Sequence, residues 1–251
     1  MAKKIELMCH LVAGYPNWET FENLCDCLAA NGADYLEIQL PFSDPMADGP
    51  TIMQANAKVL QQAYALDQAL KSLEKVIQKI QIPVYVMSYL NVFYQQGTAV
   101  FAKSLNDIGI QGCIIPDLSF EADQKENLKS QIEEAGLNFV AVLAPNQDRA
   151  RLENIESFVS NMVYLPSRTG VTGSPTSFSE TLFNQITLIK ESLPVKKIAL
   201  GFGISSSEQI EAVSNFADIA VVGSAILKAM NTKPMHPLKS VEAFMNKLRF
   251  S

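Results

Sequence analysis

The sequence predicts an α/β fold, a single-domain (β/α)8 TIM-type barrel spanning residues 1–251. Three observations predict it. Short β-rich runs alternate with longer amphipathic runs eight times, at about 30 residues per unit. The length of 251 residues suits closed α/β barrels, which commonly run to roughly 250. The second β-rich run carries a carboxylate, Glu37, on one parity and ends in a loop crowded with turn-formers and acids, Pro41 to Pro50.

In chain order, Leu7 to Val12 reads as the first strand, stopped by Gly14, Tyr15 and Pro16. Asn17 can cap a helix through about Ala30, which Asn31 and Gly32 close. Tyr35 to Leu40 is the second strand. Helical period resumes from Ile52 to Ile80, long enough for two helices with a break near Ala63 to Asp67. Val84 to Tyr89 is the third strand, and Val100 to Leu105 lies on the next helix. Gly112 to Pro116 is the fourth strand, followed by one helix from Phe120 to Ala135 that Gly136 ends. Asn138 to Leu143, Met162 to Leu165, Lys197 to Leu200 and Asp218 to Val222 complete the eight strands. The helices between and after them are expected at Arg149 to Val159, Glu180 to Ser192, Ser205 to Asn215 and Pro237 to Arg249.

Composition excludes several function classes. The opening Met1-Ala2-Lys3-Lys4-Ile5-Glu6 is too short and too charged for a signal peptide, and no apolar run of about 18 residues occurs, so the chain is expected in the cytoplasm. A net charge of -6 argues against nucleic acid or an anionic membrane as the main partner. Cys9, Cys25, Cys27 and Cys113 lack zinc or redox spacing and read as reduced core residues. With only His10 and His236, a histidine-built metal site or a Ser-His-Asp relay has little to draw on, and no metal is expected.

Two constellations carry chemistry. On the second strand Leu36, Ile38 and Leu40 share one face, while Tyr35, Glu37 and Gln39 share the other. In a lone antiparallel strand the polar face would simply be wet; in a parallel barrel both faces are buried, and an inward carboxylate is costly unless used or paired. Pro41, Pro45, Gly49 and Pro50 shape a rigid loop that can hold Ser43, Asp44 and Asp48 near the strand's end, where barrels of this plan place their chemistry. The second constellation is the pair of glycine turns after strands seven and eight, Gly201-Phe202-Gly203 and Gly223-Ser224-Ala225. Ser205 with Glu208 reads as a capping box, and two consecutive helix N-termini suit a phosphate dianion. Gly170 and Gly173, in the loop after strand six, can complete that site.

These residues also bring a resemblance. Leu36-Glu37 with Pro41-Phe42-Ser43-Asp44-Pro45-Met46-Ala47-Asp48-Gly49-Pro50-Thr51-Ile52, together with Ser167-Arg168-Thr169-Gly170-Val171-Thr172-Gly173, resembles the signatures of tryptophan synthase α subunits, and the likeness runs over essentially the whole chain. It implies retro-aldol cleavage of indole-3-glycerol phosphate to indole and glyceraldehyde 3-phosphate. Glu37 matches the family's acid-base group and Asp48 the carboxylate that stabilises charge on the indole N–H. Tyr164 matches a tyrosine beside the glycerol chain. Thr172 and Gly173 belong to a lid loop that also holds Arg168, and Gly203, Gly223 and Ser224 match the phosphate loops. The resemblance implies no cofactor on this chain, and a pyridoxal-phosphate β subunit as partner in an α2β2 heterotetramer, contacted through the second and sixth loops and helices near Asp117. Phe42 and Met46 there read as ordinary loop anchors.

The chain departs from the family pattern at Gln39, where glycine is usual, at His10 for an aromatic, Val12 for threonine, Tyr15 for aspartate, and Val92 and Ser119 for proline. Gln39 is expected to crowd the substrate or to hold Glu37 away from it. Two readings therefore stay open: the lyase, and a regulatory α subunit that keeps its phosphate site and activates the β subunit. A sugar-phosphate isomerase on the same barrel is disfavoured by the family-specific motif around Glu37.

Overall fold

The computed structural model describes residues 5–144, 146–166, 180–201 and 203–250. Eight parallel strands close into one barrel in sequence order, β1 through β8, with β1 hydrogen-bonded to both β2 and β8. They are β1 (Glu6–Val12), β2 (Tyr35–Gln39), β3 (Val84–Met87), β4 (Gly112–Ile114), β5 (Asn138–Val142), β6 (Met162–Pro166), β7 (Lys197–Gly201) and β8 (Ile219–Val222).

Parity along each strand splits the apolar side chains into two cores. Leu36, Ile38 and Leu40 join the outer one, packed under the helices with Leu7, Cys9 and Leu11 of β1. Met8, Tyr85, Met87, Ile114, Val140, Met162, Ala199, Ile219 and Val221 fill the barrel. The interior is matched for size. A Cβ on Gly112 would lie 2.7 Å from the Tyr85 ring, and one on Gly201 would lie 2.6 Å from the Tyr164 hydroxyl. Glycine on neighbouring strands thus makes the room that two tyrosines occupy.

The helices follow from local signals with a few corrections. In α1 (Trp18–Ala30) the Asn17 side chain caps Thr20 N–H at 2.9 Å, as its position before the helix implies. The long stretch after β2 is indeed two helices, α2 (Pro50–Leu60) and α3 (Leu66–Lys79). Two short helices, α4 (Leu90–Gln96) and α5 (Thr98–Asp107), follow β3 where only the second was expected. Gly97 separates them at φ +76°, too short a spacing for hydrophobic periodicity to register a seven-residue helix.

The helix expected from Phe120 to Ala135 is broken into α6 (Phe120–Glu126) and α7 (Leu128–Glu134). Asn127 adopts the left-handed conformation at the break, and Asp123 accepts from Lys129 N–H at 2.6 Å. Asparagine tolerates that backbone better than other side-chain-bearing residues, so the amphipathic pattern runs on while the helix does not. Next come α8 (Arg149–Asn154) with a 3-10 turn at Glu156–Phe158, α9 (Glu180–Ser192), α10 (Ser207–Val213), α11 (Ser224–Thr232) and α12 (Pro237–Phe250).

The cap of α10 is also shifted by one residue. Ser206, rather than Ser205, accepts from Gln209 N–H, and the Gln209 amide oxygen accepts from both the N–H and the hydroxyl of Ser205. Glu208 therefore does not close the box. Gln209 stands three residues after the cap instead, but its side chain reaches back to Ser205, one residue before the cap, rather than to Ser206 N–H.

At the N-terminal end of the barrel, Arg249 of α12 donates to the Gly32 carbonyl at 2.9 Å through Nε and pairs with Asp34, which accepts from Leu7 N–H at 2.8 Å. These bonds clamp the last helix onto β1 and the start of β2. Lys197 lies at the same end, 2.6 Å from both Glu6 and the Tyr35 hydroxyl. No helix among the described residues is long and apolar enough to cross a membrane.

Candidate active site at the C-terminal mouth of the barrel

A cavity of about 470 Å³ opens at the C-terminal ends of the strands, within the usual size range of small-molecule sites. His10, Glu37, Asp48, Tyr164, Gly203, Gly223 and Ser224 all face it. The strands and turns of a parallel barrel deliver their side chains to this one end, so His10 and Ser224, 214 positions apart in sequence, line one cavity.

Glu37 is placed by the register of β2 between β1 and β3, opposite His10 on one side and Tyr85 on the other. It is 1% exposed and His10 is 4% exposed. Glu37 Oε1 lies 3.1 Å from His10 Nδ1. The other oxygen, Oε2, and His10 Nε2 are both buried and have no partner among the described residues. Burial alone would lower the histidine's affinity for a proton, but the carboxylate beside it more than offsets this and holds His10 above its ordinary range.

Asp48 is held by the last residue of β2 and by the residue that caps α4. Gln39 Nε2 donates to its Oδ2 at 2.6 Å, and the Tyr89 hydroxyl donates to the same oxygen at 3.1 Å. That hydroxyl in turn accepts from Ala47 N–H at 2.9 Å, which pins the loop one residue before the carboxylate. Burial raises the pKa of Asp48, while Gln39, His10 and Tyr89 pull against the rise. The loop is further tied down by Asn56 of α2, fully buried, whose amide oxygen accepts from Phe42 N–H at 3.1 Å, and by Phe42 stacked 5.0 Å from Tyr89.

The Gln39 amide is therefore turned to Asp48, not into the cavity and not onto Glu37. The expectation that it crowds the substrate is replaced by a structural role. Ser43 and Asp44, also expected near the site, bond to each other on the exposed side of the loop at 2.5 Å and do not line the cavity. The loop reverses between Pro45 and Asp48, with Asp48 N–H bonded to the Pro45 carbonyl, so that only Asp48 points back to the barrel.

Tyr164 on β6 faces the cavity from the far wall, its ring fitted over Gly201. Burial, then the charges of Glu37 and Asp48, push its hydroxyl well above the usual tyrosine range, so it stays a protonated donor. Gly203 sits at φ +62° with open space where a side chain would be, and Gly223 with Ser224 opens α11. Gly201 lines the same wall. Thr172 and Gly173, with Gly170 and Arg168, lie outside the described residues. No cluster of three or more metal-binding side chains occurs among the described residues.

The sequence profile described as Tryptophan synthase alpha chain matches residues 1–249. The chain belongs to the tryptophan synthase alpha chain family. Among curated members it is 34% identical over 247 residues to the protein of Syntrophotalea carbinolica, covering 98% of this chain and 95% of that one. It is 33% identical to that of Dehalococcoides mccartyi over 249 residues, 99% and 96% of the two chains. Among solved structures, a tryptophan synthase α subunit of Pyrococcus furiosus (the D17N mutant) superposes with a TM-score of 0.87 at 28% identity over 99% of both chains. A chain from the tryptophan synthase a2b2 complex of the same organism, described under mutual activation, gives 0.89 with the same identity and coverage.

Within this α-chain architecture, three residues that hold the site were not assigned that role from sequence. His10, Gln39 and Tyr89 act through contacts with Glu37 and Asp48. The available signal was parity. His10 lies two residues beyond Met8 on β1, and so on its inward face.

Proposed function

We propose that this chain, as one domain over residues 1–251 and in the cytoplasm, cleaves indole-3-glycerol phosphate to indole and glyceraldehyde 3-phosphate, the lyase reaction of its family. The observation that carries the reading is the convergence of the buried Glu37 and the anchored Asp48 on one cavity whose opposite rim is formed by Gly203, Gly223 and Ser224. Carbon–carbon cleavage next to an indole ring needs that pairing.

The phosphate is held at the Gly203 turn and at the N-terminus of α11 through Gly223 and Ser224, where backbone N–H groups and the helix dipole favour a dianion. The glycerol chain then spans toward Glu37 and passes Tyr164. Glu37 protonates C3 of the ring, which places positive charge on the ring nitrogen, and Asp48 stabilises it. Loss of the adjacent hydroxyl proton forms the aldehyde, and the electrons of the broken C–C bond return to the ring. By resemblance to the family, Thr172 and Gly173 contribute to substrate binding. The chemistry needs no cofactor on this chain. A Schiff-base route would need a lysine at the mouth, whereas Lys197 is engaged at the opposite end with Glu6 and Tyr35.

The partner is a tryptophan synthase β subunit, carrying pyridoxal phosphate, in an α2β2 assembly. The loop from Pro41 to Asp48 is a contact candidate, since Met46 on it is 83% exposed. The test follows glyceraldehyde 3-phosphate release from indole-3-glycerol phosphate by the chain alone and with the β subunit, for wild type and Glu37→Gln. Cleavage stimulated by the partner and abolished by the substitution is the expected result. An accelerated β reaction with no cleavage would replace the lyase with a regulatory subunit.

A further inference from the structure

We infer that His10 is a second catalytic residue of this site, taking the hydroxyl proton of the substrate while Glu37 serves the ring carbon; this rests on the lyase reading above. The contact at 3.1 Å between His10 Nδ1 and Glu37 Oε1 leaves one free polar atom on each side chain, His10 Nε2 and Glu37 Oε2. Both are buried, both residues line the cavity, and a buried polar atom without a partner is costly unless a ligand completes it. His10 also sits between Glu37 and the proposed phosphate rim, because a Cβ on Gly223 would meet its Cβ at 3.2 Å and its Cδ2 at 3.4 Å. A glycerol chain running from that rim to Glu37 therefore passes the imidazole.

The proton balance closes within the pair. The pair reacts in the form that carries its shared proton on Glu37 Oε2, with His10 neutral and protonated at Nδ1; the Glu37 carboxyl gives that proton to C3 of the indole, forming the C–H bond and leaving a carboxylate. The hydroxyl O–H breaks and its proton goes to His10 Nε2, as the carbonyl forms, the C–C bond breaks and its electron pair neutralises the ring. An imidazolium–carboxylate pair results. Passing a proton from Nδ1 to Oε1 across their contact restores neutral partners, and exchange with water on product release returns the protons to their starting atoms. No group outside the pair and no other reactant is consumed.

The groups that face His10 allow this division. Glu37 from β2 adjoins it directly, Gln39 lies further along the same strand, Asp48 reaches it from the loop after β2, and Gly223 from β8 is uncharged. Tyr164 faces both carboxylates from β6 as a protonated hydroxyl.

The test compares wild type, His10→Asn and His10→Gln in complex with the β subunit. Asparagine carries an amide that reaches as far as Nδ1 and preserves the hydrogen bond to Glu37 without carrying a proton, so a merely positional role would survive it. Affinity for indole-3-propanol phosphate, which lacks the reacting hydroxyl, reports that the site is folded. Expected are affinity close to wild type, kcat lowered by about 100-fold or more, and an alkaline limb of the kcat profile moved to lower pH. The imidazole signal of His10, one of two histidines, should titrate at lower pH in Glu37→Gln than in the wild-type chain. A kcat within about threefold of wild type and an unmoved alkaline limb in either variant would leave the lyase reading intact and overturn the role of His10. Failure of the wild-type complex to cleave overturns both.

Discussion

Replacing Gln39 by methionine separates the two roles this side chain was open to. Methionine conserves the volume but removes the amide that donates to Asp48 at 2.6 Å, leaving the Tyr89 hydroxyl at 3.1 Å as the remaining side-chain donor to that oxygen. A hydrogen bond to a charged group is worth about 1.5–3 kcal/mol, which sets an upper bound of roughly ten- to a hundredfold on the loss in kcat/KM at neutral pH. Folding stability should change little. The amide oxygen of Gln39 is buried without a partner, so the substitution also removes an unsatisfied acceptor. The pH dependence has a definite sign. Burial already holds Asp48 above its ordinary range and Gln39 opposes that rise, so loss of the donor raises it further. Catalysis uses the ionised form, so the acid limb of kcat/KM moves to higher pH. Steady-state cleavage assays across pH, with thermal melts of the same preparations, measure all three quantities. A rate equal to or above wild type, with the acid limb in place, would refute the reasoning and return Gln39 to the role of an obstruction.

Asp48→Asn tests the same carboxylate from the stability side. Its folded pKa is raised above the unfolded value, so between the two the native state binds more protons and the ionised form costs stability at neutral pH. The neutral amide removes that cost, so Tm rises, by roughly 2–4 °C for each kcal/mol recovered, while cleavage falls; a lowered Tm refutes it. Gly201→Ala places a methyl 2.6 Å from the Tyr164 hydroxyl and 3.0 Å from its Cζ, inside a filled barrel. Overpacking of this kind costs about 1–3 kcal/mol, and displacement of Tyr164 should raise KM; an unchanged Tm and KM would show that the wall yields freely. Arg249→Met leaves the Gly32 carbonyl and Asp34 without the guanidinium that clamps α12 to the base of the barrel. Calorimetry should show a loss of about 1–3 kcal/mol with catalysis unaffected, since the contact lies at the opposite end from the cavity.

The barrel was legible in the sequence because its signals are local and repeated. Strand parity, helix period and the glycine and proline stops recur eight times, so an error in any one boundary leaves the count intact. Glu37, Asp48 and the turns at Gly203 and Gly223 were legible for a related reason. A carboxylate on the inward parity of a doubly buried strand, and glycines at consecutive strand ends, are unusual in one dimension as well as in three. Asn127 shows the limit: the amphipathic pattern from Phe120 to Glu134 is continuous, and a single left-handed residue divides the helix beneath it.

What the chain determined by itself was the order of elements, the inward faces and the identity of the acids. What only the tertiary structure decided was which side chain meets which. Closure of the barrel sets His10 in register with Glu37, and reversal of the loop from Pro45 to Asp48 brings one acid back to the mouth while Ser43 and Asp44 face away. Gln39, two residues beyond Glu37 on the same face, turns to Asp48 because the loop puts a carboxylate within 2.6 Å of its amide. Spacing along the chain fixes direction, but pairing depends on distances across the barrel, which are settled only when all eight strands have closed.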